Sequence, residues 1–249
     1  MAELEIRTER VSVPNGYLQI ASYLAFPTSE GRFPGVIVLQ EVFGVNAHIR
    51  DVTERIAKIG YVAIAPSLYQ RQAPDFEVGY SALELQLGRK YKEQTTAAEL
   101  LSDIQAAIAY LKTLPNVKSD AIGCIGFCFG GHVAYLAATL PDIKATASFY
   151  GAGITNWIPG GGEPTISRTP QITGTLYAFF GNADPLIPCE QVDQIEAALQ
   201  KYQIPHRIFR YDGAEHGFFC DARSSYNPTA AADAWIQVQH LFATVLKST

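Results

Sequence analysis

The sequence has no apolar run approaching the roughly 18 residues that a membrane-crossing helix needs. Nor does it cluster its Lys and Arg: 19 basic against 24 acidic residues leave a formal charge of −5. A nucleic-acid backbone would find no basic stripe to hold, so no such partner is expected, and no membrane partner either. Residues 1–10 mix Glu and Arg with isolated aliphatics and lack the basic-then-apolar order of a secretion signal, so a cytoplasmic location is expected. Cysteine is sparse, at 124, 128, 189 and 220 in 249 residues, which argues against a disulfide framework. No second ligand pair at zinc-like spacing answers Cys124 and Cys128, so neither a metal nor a cofactor is expected. Internal repeats and low-complexity linkers are absent too. What is present is 48% apolar residues spread over the whole length, enough for one sizeable core and a single domain over 1–249.

Those apolar residues come in short runs alternating with amphipathic stretches. Residues 35–39 (GVIVL) read as a buried strand between Pro34 and a polar turn. Over 46–58, Ile49, Val52 and Ile56 recur at helical spacing, continued by Ile59, and Gly60 supplies a stop. Residues 61–65 (YVAIA) form a second strand, ended by Pro66. A helix-rich section over 81–114 carries Leu100, Leu101, Ile104, Ala107, Ile108 and Leu111 on one face. Strands follow at 121–127, 145–150, 174–180 and 206–211, with helices at 130–140, 188–202 and 230–246. Continuous apolar strands are strands covered on both faces, which predicts an α/β fold: a mostly parallel sheet flanked by helices on both faces. Residues 6–26 add one or two antiparallel edge strands around the turn Pro14-Asn15-Gly16. The stretch 151–170, with five Gly, three Pro and Trp157, is long for a compact domain and is expected to border a binding site.

In such a fold functional groups gather at the carboxyl ends of the strands. There the segment Gly126-Phe127-Cys128-Phe129-Gly130 has the G-x-nucleophile-x-G spacing, after a predicted strand and before a predicted helix. A nucleophile on that sharp turn projects above the sheet, and the flanking positions approach neighbouring backbone too closely for a Cβ. The helix N-terminus directs free N–H groups and a positive dipole end at the site, which favours a thiolate and a developing oxyanion. The competing reading, an ordinary buried cysteine, fits Cys124 within the strand better than it fits Cys128.

A cysteine nucleophile on this fold requires a carboxylate and then a histidine, each just past a later strand. Asp184 follows the strand 174–180, and His216 follows the strand 206–211. The imidazole takes the thiol proton and later activates water, while the carboxylate fixes its tautomer. Asp212 competes with Asp184 but lies only four residues before His216. Of the other histidines, His132, His206 and His240 read as structural, whereas His48 follows a loop on the side of the expected site. That loop, Gln40-Glu41-Val42-Phe43-Gly44-Val45-Asn46, supplies an oxyanion-hole N–H in this fold. A carboxylate beside a forming oxyanion would repel it, so Glu41 is either solvent-facing or has a regulated, paired role.

At this point the chain resembles the dienelactone hydrolase (carboxymethylenebutenolidase) family of the α/β-hydrolase superfamily. The resemblance is carried by Q-E-V-F-G-V-N-x-x-I-R-D at 40–51, A-P-S-L-Y-x-R at 65–71, G-F-C-F-G-G at 126–131, Y-G at 150–151, D-P at 184–185 and G-A-E-H-G-F at 213–218. It implies an α/β-hydrolase fold, a triad of Cys128, His216 and Asp184, and an oxyanion hole at the Val42 and Phe129 amides. It also implies that Glu41 holds the resting thiol until substrate turns Cys128 toward the histidine, shielding the thiolate from oxidation. The chain departs from the family at Ser67, where Asp is usual, and at Cys220, where members that bind a substrate carboxylate carry an arginine. Arg223 is the nearest arginine to that position; Arg71 and Arg89 are candidates for a second. Tyr69 and Trp157 complete the candidate substrate contacts.

The resemblance therefore implies a cofactor-free hydrolase of enol-lactones or esters that works through an acyl-enzyme, with a small molecule as its partner; the sequence does not reveal the oligomeric state, and a monomer is the expectation. A second hypothesis, from a different class, is a non-catalytic or redox-sensing binding protein on the same fold. A serine esterase built on Ser67 or Ser148 lacks an elbow and is set aside.

Overall fold

In a computed structural model, residues 3–247 are described. Eight strands are β1 (Ile6–Asn15), β2 (Leu18–Pro27), β3 (Phe33–Leu39), β4 (Val62–Pro66), β5 (Val117–Phe127), β6 (Ile143–Phe149), β7 (Thr175–Gly181) and β8 (His206–Tyr211). Six α-helices lie between or after them: α1 (Ala47–Lys58), α2 (Ala82–Lys92), α3 (Ala97–Thr113), α4 (Phe129–Ala137), α5 (Cys189–Lys201) and α6 (Pro228–Leu246). The strands form one sheet in the order β1-β2-β4-β3-β5-β6-β7-β8. β1 and β2 are antiparallel additions, as the hairpin signal at Pro14-Asn15-Gly16 predicts, and the six strands from β4 to β8 run parallel.

Strand alternation divides the core between the two faces. Val36 and Val38 of β3 share one cluster with Ile49, Val52 and Ile56 of α1 and with Val238 and Phe242 of α6. Ile37 and Leu39 share the other with Leu100, Ile104, Ile108 and Leu111 of α3. Each such fully buried aliphatic contributes about 2 kcal/mol by area, so the central parallel strands are the most firmly held part of the sheet.

Local signals set the helix ends. Asn46 caps α1 by accepting from the Ile49 amide, so the helix begins one residue later than its apolar spacing suggests. The helix-rich section splits in two, with Ser81 and Glu84 forming a capping box on α2 and Thr96 capping α3. Two features differ from expectation. β5 begins at Val117 rather than 121, because Val117 and Lys118 pair with Phe33 and Pro34 before the register shifts to Ile122. The 151–170 stretch ends in a short 3-10 helix, Thr165–Gln171, entered through Pro164 and containing Pro170.

Candidate active site

β5 runs directly into Cys128, whose backbone sits at φ +54° and ψ −115° before α4 begins. This is strained for an L-residue and is held by its surroundings. The Cys128 amide donates to the Phe149 carbonyl (3.0 Å), and its carbonyl accepts from the His132 amide (3.1 Å). A Cβ on Gly126 would overlap the Gly130 carbonyl, and one on Gly130 would overlap the Leu39 and Gln40 carbonyls. The turn thus closes only with glycine on either side of the cysteine.

The loops after β7 and β8 bring the other two groups to this turn. Asp184 is anchored by accepting the Leu186 amide on Oδ1 (2.8 Å) and accepts His216 Nδ1 on Oδ2 (2.7 Å). His216 Nε2 faces Cys128 Sγ at 3.1 Å. Burial on its own would lower the His216 pKa. The facing charge of the Cys128 sulfur and the Asp184 hydrogen bond outweigh it, raising the value to about 10. Asp212, the competing carboxylate, accepts Asn182 Nδ2 at the surface instead.

Val42 and Phe129 line the same cleft as Cys128 and His216. Among the described residues, neither of their amides is given a protein acceptor. The cleft encloses about 900 Å³, a size that suits a small organic ligand. Arg89, Trp157 and Arg223 line it, with Lys92, Asn156 and Ser224 among residues the sequence reading did not single out. A hollow of about 380 Å³ against Phe33, Gly60 and Lys247 contains neither a cysteine nor a histidine.

Three expectations need correction. Arg71 does not line the cleft; its guanidinium is bound by the buried Asp103 and lies near Glu99. Tyr69 is fully buried beneath the site, stacked on Phe129 with ring centroids 5.9 Å apart, and does not face the cleft either. Glu41 does not hold the thiol in this structure. Its Oε1 accepts from Arg223 Nη1 (3.0 Å), leaving the sulfur to His216.

Other residues take positions their patterns did not announce. Tyr150, in the left-handed region at φ +35°, sets its ring edge on His216 at 5.2 Å and keeps its buried hydroxyl unpartnered. His132, read as structural, fastens the cleft-lining loop. Its Nδ1 lies 2.8 Å from the Ala152 carbonyl, and Nε2 accepts the Thr165 hydroxyl (2.8 Å). Burial pushes its pKa down to about 4, so the neutral ring serves one bond as donor and the other as acceptor. Trp157 rests on the same ring. His206 bonds the Ile204 carbonyl and His240 is exposed. Cys124 is core, its thiol pushed up to about 12 by burial, and all four cysteines are free.

A mostly parallel sheet with a cysteine elbow after its fifth strand, and with carboxylate and histidine following in chain order, is the architecture of an α/β-hydrolase. The model of the dienelactone hydrolase family matches residues 20–246. A protein of Synechocystis sp., named by inference a carboxymethylenebutenolidase, is 62% identical over 244 residues, spanning 98% of this chain and 99% of its own. A Bradyrhizobium sp. protein, named by inference a 2-oxo-3-(5-oxofuran-2-ylidene)propanoate lactonase, is 33% identical over 224 residues, covering 89% of this chain and 87% of its own. The crystal structure of a Klebsiella pneumoniae protein, named by inference a dienelactone hydrolase, superposes with a TM-score of 0.86 at 30% identity, over 96% of this chain and 99% of that one. The chain belongs to the dienelactone hydrolase family, and is a hydrolase.

Proposed function

We propose that this hydrolase opens enol-lactones and activated esters through an acyl-enzyme on Cys128. The observation that carries this reading is the continuous run from Cys128 Sγ to His216 Nε2 (3.1 Å) and from His216 Nδ1 to Asp184 Oδ2 (2.7 Å), open to the cleft. The sulfur attacks the substrate carbonyl, and the Val42 and Phe129 amides receive the oxyanion. Collapse breaks the carbon–oxygen bond, and the imidazolium of His216 gives its proton to the departing enolate or alkoxide. Water then attacks the thioester, His216 takes its proton, and the thiolate leaves as the carboxylic acid is released. A thiolate is a good leaving group, so activated esters suit this sequence better than amides.

Glu41 acts through Arg223 in this reading. With the carboxylate engaged by the guanidinium, no anion competes with His216 for the sulfur. Arg89 lines the cleft alongside Arg223, whose charge Glu41 offsets, so Arg89 is the guanidinium offered to a substrate that carries a carboxylate beside its lactone, as the Bradyrhizobium relative's name describes.

Replacement Cys128→Ala should abolish turnover of a chromogenic aryl ester while leaving the circular dichroism spectrum unchanged; full activity in that variant would sink the mechanism. The wild type should also release a burst of product before steady state. A binding protein that holds such ligands without turning them over would show none.

A further inference from the structure

Three buried side chains from distant parts of the chain converge, and none of them is Cys128, His216 or Asp184. Glu41 comes from the turn after β3, His48 from the first turn of α1, and Cys220 from the loop before α6. Their ligand atoms, a carboxylate oxygen, an imidazole nitrogen and a sulfur, all lie within 4.8 Å of one another. All three residues are more than nine-tenths buried.

Two atoms here lack partners in a setting where that is costly. Glu41 spends Oε1 on Arg223, but its buried Oε2 has no hydrogen bond, and neither has the buried Nε2 of His48. An unsatisfied buried polar atom costs roughly 1–3 kcal/mol, so a ligand bound by both residues would relieve a standing cost. Aromatic rings hold His48 in place, with Phe127 and Phe219 at 5.6 and 6.3 Å in edge contacts.

We propose that Glu41, His48 and Cys220 form a binding site for a borderline divalent transition metal, of which Zn²⁺ is the type. One oxygen, one nitrogen and one sulfur are a donor set for that class. Mg²⁺ and Ca²⁺ want oxygen alone. In a tetrahedral shell with bonds of about 2.0–2.3 Å, ligand atoms lie roughly 3.5 Å apart, so the three need to close by only about an ångström. The fourth position falls to water. Binding forms three metal–ligand bonds, breaks the hydrogen bond that the Cys220 thiol donates to the Tyr80 hydroxyl (3.2 Å) and releases the thiol proton to solvent, with no redox change. His48 also lines an outer hollow with Asp51 and Asp221; Asp51 pairs with Arg55 (3.9 Å), which stacks on Phe219 and Trp235, so Asp221 is the carboxylate that draws a cation toward the site.

The site uses no atom of Cys128, His216 or Asp184, so it stands or falls independently of the acyl-enzyme reading. It nevertheless touches the cleft: a cation on Oε2 drains charge from Glu41 and loosens its hold on Arg223, which lines that cleft.

Titration of the full chain with Co²⁺, followed by absorbance, tests the assignment. Cysteine ligation should give a thiolate-to-metal charge-transfer band in the near ultraviolet that saturates at one metal per chain and is displaced by Zn²⁺. The band should survive Cys128→Ser and vanish in Cys220→Ser and in His48→Phe, with Zn²⁺ raising the melting temperature of Cys128→Ser but not of the other two. No band in millimolar Co²⁺ would overturn the proposal. So would a band lost with Cys128→Ser and kept in Cys220→Ser, which would place the metal on the Cys128–His216 pair. If both Cys220→Ser and His48→Phe fail to fold, the Cys128→Ser protein still decides, since it must bind one Co²⁺ through sulfur with Cys189 blocked by alkylation.

Discussion

His216 carries opposing influences on one ring. Burial disfavours the imidazolium, yet the sulfur on one side and the carboxylate on the other raise its pKa to about 10. The facing sulfur is the larger of these two, so its removal should let burial reassert itself. In Cys128→Ala the imidazole is expected to titrate well below 10, read by the pH dependence of its NMR chemical shifts; a value still near 10 would mean that Asp184 alone sets it. The meeting of Cys128, His216 and Asp184 was readable because a motif and a chain order put those residue types at particular strand ends. Arg71 misled because nothing local records its bond to Asp103, 32 residues away. Glu41 looked odd for a sound reason, a carboxylate near an oxyanion, but its partner Arg223 lies 182 residues on. The meeting of Glu41, His48 and Cys220 was invisible to ligand spacing for the same reason.

At the scale of elements, the parallel strands were legible because burial on both faces leaves uninterrupted apolar runs. The 3-10 helix and the start of β5 were not. Pro164 and Pro170 read as breakers, and Lys118, Ser119 and Asp120 read as loop until the pairing of Val117 with Phe33 is seen. Helix α2 was the least explained by its pattern. It has a single buried residue, Gly88, and a Cβ there would overlap the Val42 carbonyl. The helix therefore rests its backbone on the turn that presents the Val42 amide. In an isolated helix, Gly→Ala would stabilise by about 1 kcal/mol. With the Val42 amide as the oxyanion donor proposed above, Gly88→Ala is expected to displace it and cost about 100-fold in kcat, the usual effect of losing one such donor. Aryl-ester kinetics would show kcat falling with KM little changed. An unaltered kcat with a higher melting temperature would show that α2 does not set the position of that amide.

Across the whole molecule, one sheet joins two cores, one built on α1 and α6 and the other on α3, with α4 supplying Tyr135 to the first and Val133 and Ala134 to the second. The same β3 strand feeds both, Val36 and Val38 inward to one and Ile37 and Leu39 to the other, so neither core can open without exposing the back of the strands that hold the other. We infer that the chain folds as one cooperative unit. The chain's two tryptophans report on opposite sides: Trp235 packs against the α1–α6 cluster and Trp157 against the α3 cluster. Single-tryptophan variants made by Trp→Phe replacement should therefore lose their fluorescence signal over the same urea range as the far-ultraviolet circular dichroism of each variant. Urea midpoints that separate between the probe and the dichroism within one variant would divide the chain into two bodies. Coincident midpoints would bind the Cys128 turn, which lies between the two cores at the end of β5, to the stability of both.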